Sequence, residues 1–192
     1  MNFFRRKKIL KIRTYGDPVL RKKAEPVVKV DESITELADA MIDTMFESDG
    51  VGLAAPQIGE SIRMIALGVP YDREKTPLSS PGEVQLLPQM PVVLINPEVT
   101  PVTDQVVSAE EGCLSIPNVF AKVARPPHIM LSAELLDGRR INAECRGFLA
   151  RALQHEVDHL NGTLFIDHID EEESRRIAPQ LEIINRKRGS RK

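Results

Sequence analysis

The chain has 192 residues, of which 42% are hydrophobic, and this is sufficient for one core of ordinary size. It carries 26 Lys and Arg against 28 Asp and Glu, a formal net charge of −2, and its two cysteines are too few for a disulfide scaffold. No run approaches the roughly 18 apolar residues of a membrane span, and the first residues lack the pattern of a secretory signal. We therefore expect a single cytoplasmic domain over residues 1–192, with neither a membrane nor DNA as a partner.

Positive charge is concentrated at the two ends of the sequence. Residues 1–13 hold six Lys or Arg and residues 186–192 hold five, and neither stretch contains an acidic residue. This leaves 15 basic residues against 28 acidic ones in between. A nucleic-acid partner would therefore be met by the tails rather than by the body, although basic, solvated chain ends are also common.

A stretch near residue 33 predicts an amphipathic helix. Ser33 and Glu36 have the spacing of a capping box, in which two side chains bond free N–H groups at the start of a helix. We expect the helix to end near Gly50. The apolar residues within it recur every three or four positions, which places them on one side: Ile34, Leu37, Ala38, Met41, Ile42, Met45 and Phe46.

Four later segments predict strands of a largely antiparallel sheet. Apolar and β-branched residues are frequent in the ranges 62–68, 92–96, 128–136 and 140–145. Asp137-Gly138, which separates the last two segments, is a strong signal for the turn of a β-hairpin.

Residues 70–91 predict an irregular surface loop rather than a core element. They hold five of the 14 prolines together with Ser, Gly and Asp, which favour turns. We interpret the segment as an insertion within one domain that could cover or extend one side of a cleft.

Two more helices are predicted after residue 146. From Gly147 to about Leu160 the apolar residues again have helical spacing, and Gly162 is placed to end the helix. A last helix is expected from about Glu171. Pro179 would remove one of its backbone hydrogen bonds and would kink or divide it.

The first of these helices carries the sequence His155-Glu-Val-Asp-His159. On a helix, four residues correspond to about one turn and a rise of about 6 Å, so both imidazoles can reach one metal ion. Glu156 would then lie beside the ion, where a carboxylate can take a proton from an attacking water and pass it to a leaving nitrogen. The pattern is short, and two ordinary surface histidines on a charged helix would also produce it.

The identity of a third ligand decides which class of hydrolase this would be. One class of zinc protease has a third histidine at the position of Phe165, which cannot bind a metal. Another class uses a downstream glutamate, and residues 171–173 are all Glu, although acidic residues also complement the dipole at the start of a helix. Cys113 is the other candidate, although an isolated cysteine is more often a small buried residue.

Three segments resemble the three motifs of the peptide deformylases, in the order in which that family has them. They are Gly50-Val-Gly-Leu-Ala-Ala-Pro-Gln57, Glu111-Gly-Cys-Leu-Ser115 and Gln154-His-Glu-Val-Asp-His159, and the resemblance extends over about residues 16–167. It implies the family's α+β fold, with mainly antiparallel sheets around a central metal-bearing helix, beside the N-terminal amphipathic helix and the C-terminal helix. It also implies the family's reaction, removal of the formyl group from N-formylmethionyl nascent polypeptides.

The resemblance implies a metal centre. Cys113, His155 and His159 would bind one divalent ion per chain, and Glu156 would act as the acid and base. The side-chain amide of Gln57 would face the oxyanion that develops during the reaction. Ferrous iron is favoured as the ion, and zinc, nickel and cobalt suit the same ligands.

The resemblance also implies contacts with the substrate. The Leu114 N–H would be a second donor to the oxyanion, and Gly52 would line the site with its backbone. Among the apolar residues near the motifs, Ile58 and Val119 are the first candidates for a pocket that accepts the methionine side chain. Arg125 is a basic residue that could contact the peptide beyond methionine.

The chain departs from the family pattern at Phe120, where many bacterial members carry an arginine, so contacts beyond methionine need not be shared. The family's C-terminal helices also suggest that the basic tail 186–192 contacts the ribosome. Two rivals remain at this point: a small zinc endopeptidase that uses a downstream glutamate, and a non-catalytic binding member of the fold.

Four further residues have weaker expectations. Asp158 is expected to support the site through a salt bridge, and His128 and His168 to lie at the surface. Cys145 is expected to be a packing residue, and the sequence leaves open whether it can pair with Cys113 on oxidation.

Overall fold

The computed structural model describes residues 7–75 and 77–189. This part of the chain contains four helices and seven strands, besides short 3₁₀ turns. In chain order they are α1 (Glu32–Glu47), β1 (Gly52–Ala54), β2 (Met64–Leu67), α2 (Pro81–Leu86), β3 (Val92–Pro101), β4 (Val107–Cys113), β5 (Ile116–Arg125), β6 (His128–Leu135), β7 (Arg140–Arg146), α3 (Gly147–Leu160) and α4 (Glu171–Gly189).

Five strands form one antiparallel sheet in the order β1-β2-β3-β6-β7, and helices cover both of its faces where β2 and β3 lie. Met64 and Ala66 of β2 pack on the α1 side, whereas Ile65 and Leu67 pack on the α3 side. Because both faces are buried, the strand is apolar at every position rather than at alternate ones. The sheet thus provides a rigid support for α3.

Strands β4 and β5 form a separate two-stranded sheet, against which α4 packs. Alternate residues of β5 are buried, among them Val119, Ala121 and Val123. They form a third apolar cluster together with Ile177 and Ile184 of α4. This arrangement confirms the predicted α+β class with a helix, α3, between antiparallel sheets.

The predicted start of α1 is wrong. The N-cap is Asp31 rather than Ser33, and its Oδ1 accepts hydrogen bonds from the Ile34 N–H at 3.2 Å and from the Ser33 hydroxyl at 2.6 Å. The helix ends at Glu47, a few residues before Gly50. Aspartate is as good a cap as serine, and here it has both donors within reach.

The second half of the segment 70–91 is also wrongly predicted. Residues 81–86 form α2, which begins at the cap Ser80, and a 3₁₀ turn follows. Leu86 is fully buried in the main core. The cap and the proline at the first helical position are helix-start signals that the overall proline content obscured.

The remaining predictions differ from the structure in detail. The hairpin turn at Asp137-Gly138 is confirmed, with Gly138 at φ 82°. Strand β3 continues past the predicted end at Asn96, where the register shifts, and α4 is a single helix that Pro179 does not divide. Among the residues that the structure describes, no helix combines the length and apolar character needed to cross a membrane.

Candidate metal centre and its cleft

His155 and His159 project from α3 one turn apart, as the sequence predicts. Their ring centroids lie 5.1 Å apart, with an angle of 73° between the planes. The Phe165 ring, at the position where one protease class has its third histidine, stacks on His155 with centroids 6.1 Å apart. The Phe165 side chain is buried and has no ligand atom, so it packs against the His155 ring and cannot bind an ion.

Cys113 meets the two histidines at the end of β4. The register between β4 and β5 shifts between Gly112 and Cys113, which interrupts the regular ladder at this point. The Cys113 Sγ lies 3.2 Å from His159 Nε2. The three candidate ligand atoms, one from each residue, all lie within 4.8 Å of one another.

Glu111 contacts His155 on the side away from the other ligands, a role that its sequence position did not indicate. Its Oε2 lies 2.9 Å from His155 Nδ1, so the other ring nitrogen, Nε2, is the one that can bind an ion. The same carboxylate accepts bonds from Arg125 Nε at 2.7 Å and from Arg125 Nη2 at 3.0 Å. A carboxylate behind a ligand histidine fixes the tautomer and the orientation of the ring.

The buried groups of this cluster strongly shift one another's pKa values. Burial alone would raise the pKa of Glu111, but hydrogen bonds from His155 and Arg125 outweigh it and lower the pKa to about 2. Burial would lower the pKa of His155, but hydrogen bonds to Cys113 and Glu111 hold it well above its usual range. Burial and the neighbouring His155 lower the pKa of His159, so that its imidazole is neutral, as a metal ligand must be.

The donor set fits a divalent ion. One sulfur and two imidazole nitrogens converge from two elements, β4 and α3, and three protein ligands leave a position open for water or substrate. We therefore regard Cys113, His155 and His159 as the residues that would hold the implied metal.

Glu156 points toward β1, on the side where Gly52 lies. A Cβ on Gly52 would collide with the Glu156 carboxylate, which would then have to move from its present position. Glu156 is 5% exposed, and its Oε2 makes no hydrogen bond with the described residues. Burial raises the pKa of Glu156 to about 7. A carboxyl group with this pKa can both accept and donate a proton near neutrality.

The Gln57 side chain is held in one orientation beside Cys113. Its Oε1 accepts a hydrogen bond from the Ala54 N–H at 2.7 Å. Its Nε2 donates to Ser115 Oγ at 3.2 Å and lies 3.4 Å from Cys113 Sγ. The amide therefore directs its N–H groups toward the Cys113–Ser115 segment, which also carries the Leu114 N–H.

A cleft of about 570 Å³ opens onto these groups. Gly52, Gln57, Leu114 and Val119 line it together with Cys113, His155 and Glu156. Its outer part includes the half-exposed rings of Phe120 and Phe148. The cleft thus combines polar, reactive groups with apolar walls.

Two of the predicted substrate contacts, Arg125 and Ile58, lie outside this cleft. Arg125 is 4% exposed and does not line the cleft, because Glu111 and Asp158 bind its guanidinium in the interior. Ile58 packs in the core beneath α1 and does not line the cleft either. Ile58 follows Gln57 in a short 3₁₀ turn, where adjacent side chains point in different directions.

The weaker expectations can be compared with the structure. Asp158 forms the predicted salt bridge, accepting from Arg125 Nη1 at 2.7 Å. His128 and His168 are partly exposed, but His168 also contacts Asp158, at 2.8 Å. Cys145 is fully buried in the main core, burial raises its pKa to about 12, and neither it nor Cys113 is in a disulfide.

Comparisons with known proteins agree with this geometry. Residues 9–175 match the family model of polypeptide deformylases. A peptide deformylase of Agrobacterium fabrum is 44% identical over 153 residues, which are 80% of this chain and 82% of that protein. A crystal structure of the peptide deformylase of Thermotoga maritima is 41% identical, with a TM-score of 0.73 over 84% of this chain and 98% of its own. A plant peptide deformylase, PDF1B, is 32% identical, with a TM-score of 0.82 over 98% and 96% of the two chains. The chain therefore belongs to the polypeptide deformylase family.

Proposed function

We propose that this protein is a metal-dependent amidase that removes the N-formyl group from N-formylmethionyl nascent polypeptides and releases formate. One observation carries the proposal: the three candidate ligands, a buried carboxylate and an oriented amide donor converge in one cleft. When bound, a divalent ion would polarise the formyl carbonyl and lower the pKa of the attacking water.

Glu156 is the acid and base of this proposal. As a carboxylate it accepts a proton from the attacking water, and as a carboxylic acid it donates that proton to the departing amino group. The balance between the two forms near neutrality follows from its pKa of about 7. Gly52 leaves the space that Glu156 Oε1 needs.

Gln57 and Leu114 serve the oxyanion that forms when water adds to the formyl carbon. A Gln57 Nε2–H and the Leu114 N–H would donate to that oxygen, and the Ala54 N–H holds the amide in the required orientation. Loss of one such donor typically lowers the rate by about 10²–10³. Val119 and the other apolar walls of the cleft would bind the methionine side chain.

Ferrous iron is the metal that we propose. Thiolate and imidazole ligands accept iron, zinc, nickel and cobalt, so the ligand set alone does not select among them. We further propose that residues 1–192 form one domain that acts in the cytoplasm, where nascent chains are made.

The assignment of Glu156 can be tested with Glu156→Gln. The amide keeps the size of the side chain but cannot accept the proton, so we expect an intact metal site and formate release lowered by about 10²–10⁴. The measurement is formate release from a formyl-methionyl tripeptide by cobalt-loaded protein, with cobalt content determined in parallel. Equal activity of the variant and the original protein would contradict the role of Glu156.

The rival zinc endopeptidase differs in its third ligand. The carboxylates that it would use lie at the start of α4, where Glu171 pairs with Arg175 and Glu173 pairs with Arg176. Cys113→Ala should abolish stoichiometric metal binding, whereas Cys145→Ala, the matched change in the core, should retain it. Full metal content in Cys113→Ala would favour the rival.

Ribosome association through the basic tail 186–192 is a separate proposal. Residues 190–192 of that tail, and the basic residues of 1–6, lie outside the described residues. Arg186 is bound by Glu182 within α4. Deletion of residues 186–192 should reduce co-sedimentation with ribosomes at low salt, and unchanged co-sedimentation would refute this role.

A further inference from the structure

Arg151 lies on α3, one helical turn before His155, and lines the cleft. Only 14% of its side chain is exposed, which is low for an arginine at the wall of an open cleft. A buried guanidinium normally has specific partners, because removing its charge from water is costly.

The guanidinium of Arg151 connects three elements. Its Nη1 donates to Glu111 Oε1 at 2.7 Å and to the Val123 carbonyl of β5 at 3.0 Å. Its Nη2 donates to the Val107 carbonyl of β4 at 2.6 Å. A single side chain of the metal-bearing helix thus bridges both strands of the sheet that carries Cys113.

These contacts complete the hydrogen bonding of Glu111. Arg125 supplies two donors, His155 one and Arg151 one, which together fill the roughly four acceptor positions of a carboxylate. Arg125 acts from the interior, whereas Arg151 lies at the cleft wall. Without Arg151, one oxygen of Glu111 would lose a charged donor on the side nearest to the cleft.

We propose that Arg151 is a positioning residue for the metal ligand His155. It acts through Glu111, whose orientation it fixes, and it connects the cleft wall to the ligand set. The inference rests on the proposed metal site. It assigns to Arg151 a role in metal retention rather than only a place in the substrate pocket.

The test measures how fast cobalt leaves the protein, without any substrate. Cobalt-loaded Arg151→Leu, Arg151→Lys and the original protein are mixed with excess chelator, and the visible absorption of the bound ion is followed. Loss of a residue that orients a metal ligand typically weakens binding by about 10–100-fold, so we expect release from Arg151→Leu to be faster by that factor. Arg151→Lys keeps a charged donor for Glu111 and should restore most of the retention.

Arg146→Leu is the matched control. Arg146 lies five residues earlier, is 40% exposed and pairs with Glu144, so the same substitution there should leave cobalt release unchanged. Release from Arg151→Leu at the rate of Arg146→Leu, or equal defects in the Leu and Lys variants, would overturn the inference.

The remaining outcomes are also decisive. If Arg151→Leu does not fold, Arg151→Gln replaces it, because glutamine keeps donors but not charge. Cobalt release from Arg151→Gln at the rate of the Arg146→Leu control, or a defect equal to that of Arg151→Lys, would then overturn the inference. If the original protein binds no cobalt, the proposed function fails. If it binds one cobalt that Arg151→Leu holds equally well, only the role of Arg151 fails.

Discussion

The Glu156 carboxylate lies in surroundings that oppose its charge. It is buried, and one of its oxygens makes no hydrogen bond with the described residues. Burial raises its pKa from 4.5 to about 7, so the folded protein holds this proton more tightly than the unfolded chain does. Such groups are commonly found where a protein needs proton transfer.

Glu156→Gln should therefore stabilise the metal-free protein at neutral and alkaline pH. A raised carboxyl pKa gives stability that is complete below the unfolded pKa and is lost as the pH rises through the folded pKa. The original protein should lose about 3 kcal/mol of its free energy of unfolding through this group as the pH rises from about 4 to about 8. The amide does not titrate, so the variant should not lose it. Urea unfolding at several pH values measures this difference. A difference that does not change with pH would contradict the account, and Glu36→Gln on the exposed side of α1 is the control.

Gly52→Ala should impair catalysis through Glu156. The new methyl group would collide with Glu156 Oε1 and must displace the carboxylate. A misplacement of about 1 Å can lower the rate by about 10², and we expect such a loss in kcat with metal content unchanged. Gly68→Ala is the control, because its Cβ would crowd Met45 Cε at 2.7 Å, away from the site. Equal kcat values for the two variants would show that Gly52 has no special role.

The sequence identified residues whose chemistry is visible in a motif. His155, Glu156 and His159 have the type and spacing that metal hydrolysis needs, the resemblance to the family adds Cys113, and the fold brings the four together. Glu111 lies beside them in the same motif, but its partner His155 is 44 residues away. Such a contact depends on the packing of β4 against α3, which no local pattern reveals.

At the scale of elements, the segment 10–15 connects the two parts of the proposed oxyanion site. The Arg13 N–H donates to the Gln57 carbonyl at 2.7 Å, and the Tyr15 N–H donates to the Ser115 carbonyl at 2.8 Å. Gln57 and Ser115 are both buried, so these carbonyls have little access to water. The segment therefore fixes Gln57 relative to the Leu114 N–H.

Arg13→Pro should lower kcat by removing one of these donors. We expect a loss of at least about tenfold, and at most the 10²–10³ typical of a missing oxyanion donor, without loss of metal. Thr14→Pro is the matched control, because the Thr14 N–H makes no backbone hydrogen bond with the described residues. The measurement is kcat of the two cobalt-loaded variants. Equal losses of kcat in both would indicate a general loss of structure and would contradict the role of the Arg13 N–H.

Strands β4 and β5, which the sequence did not predict, are shaped by the site. Strand β5 buries Arg125 and exposes Phe120, which reverses the usual pattern of a half-buried strand. Arg125 is buried because Glu111 of β4 binds it. The burial pattern of β5 can therefore be understood only when its pairing with β4 is known. By contrast, α3 and the hairpin of β6 and β7 have regular patterns and were predicted nearly to the residue.

At the scale of the whole molecule, the metal-bearing helix lies between two sheets with different roles. The five-stranded sheet supports α3 through apolar contacts, whereas the two-stranded sheet brings Cys113, Leu114 and Glu111 to it. Both sheets are needed, because one holds α3 with two of the ligands in place and the other supplies the third ligand, Cys113. The resemblance to the family covered both layers, and its three motifs lie on β1 and the turn after it, on β4 and on α3.

The most direct test of the account identifies the products formed from one formylated pentapeptide that begins with formyl-methionine. Cobalt-loaded protein should convert it to the same pentapeptide with a free amino terminus and an equal amount of formate, as shown by mass spectrometry and a formate assay. Cleavage between residues of the peptide, or recovery of the formylated peptide unchanged by protein that holds one cobalt per chain, would contradict the account.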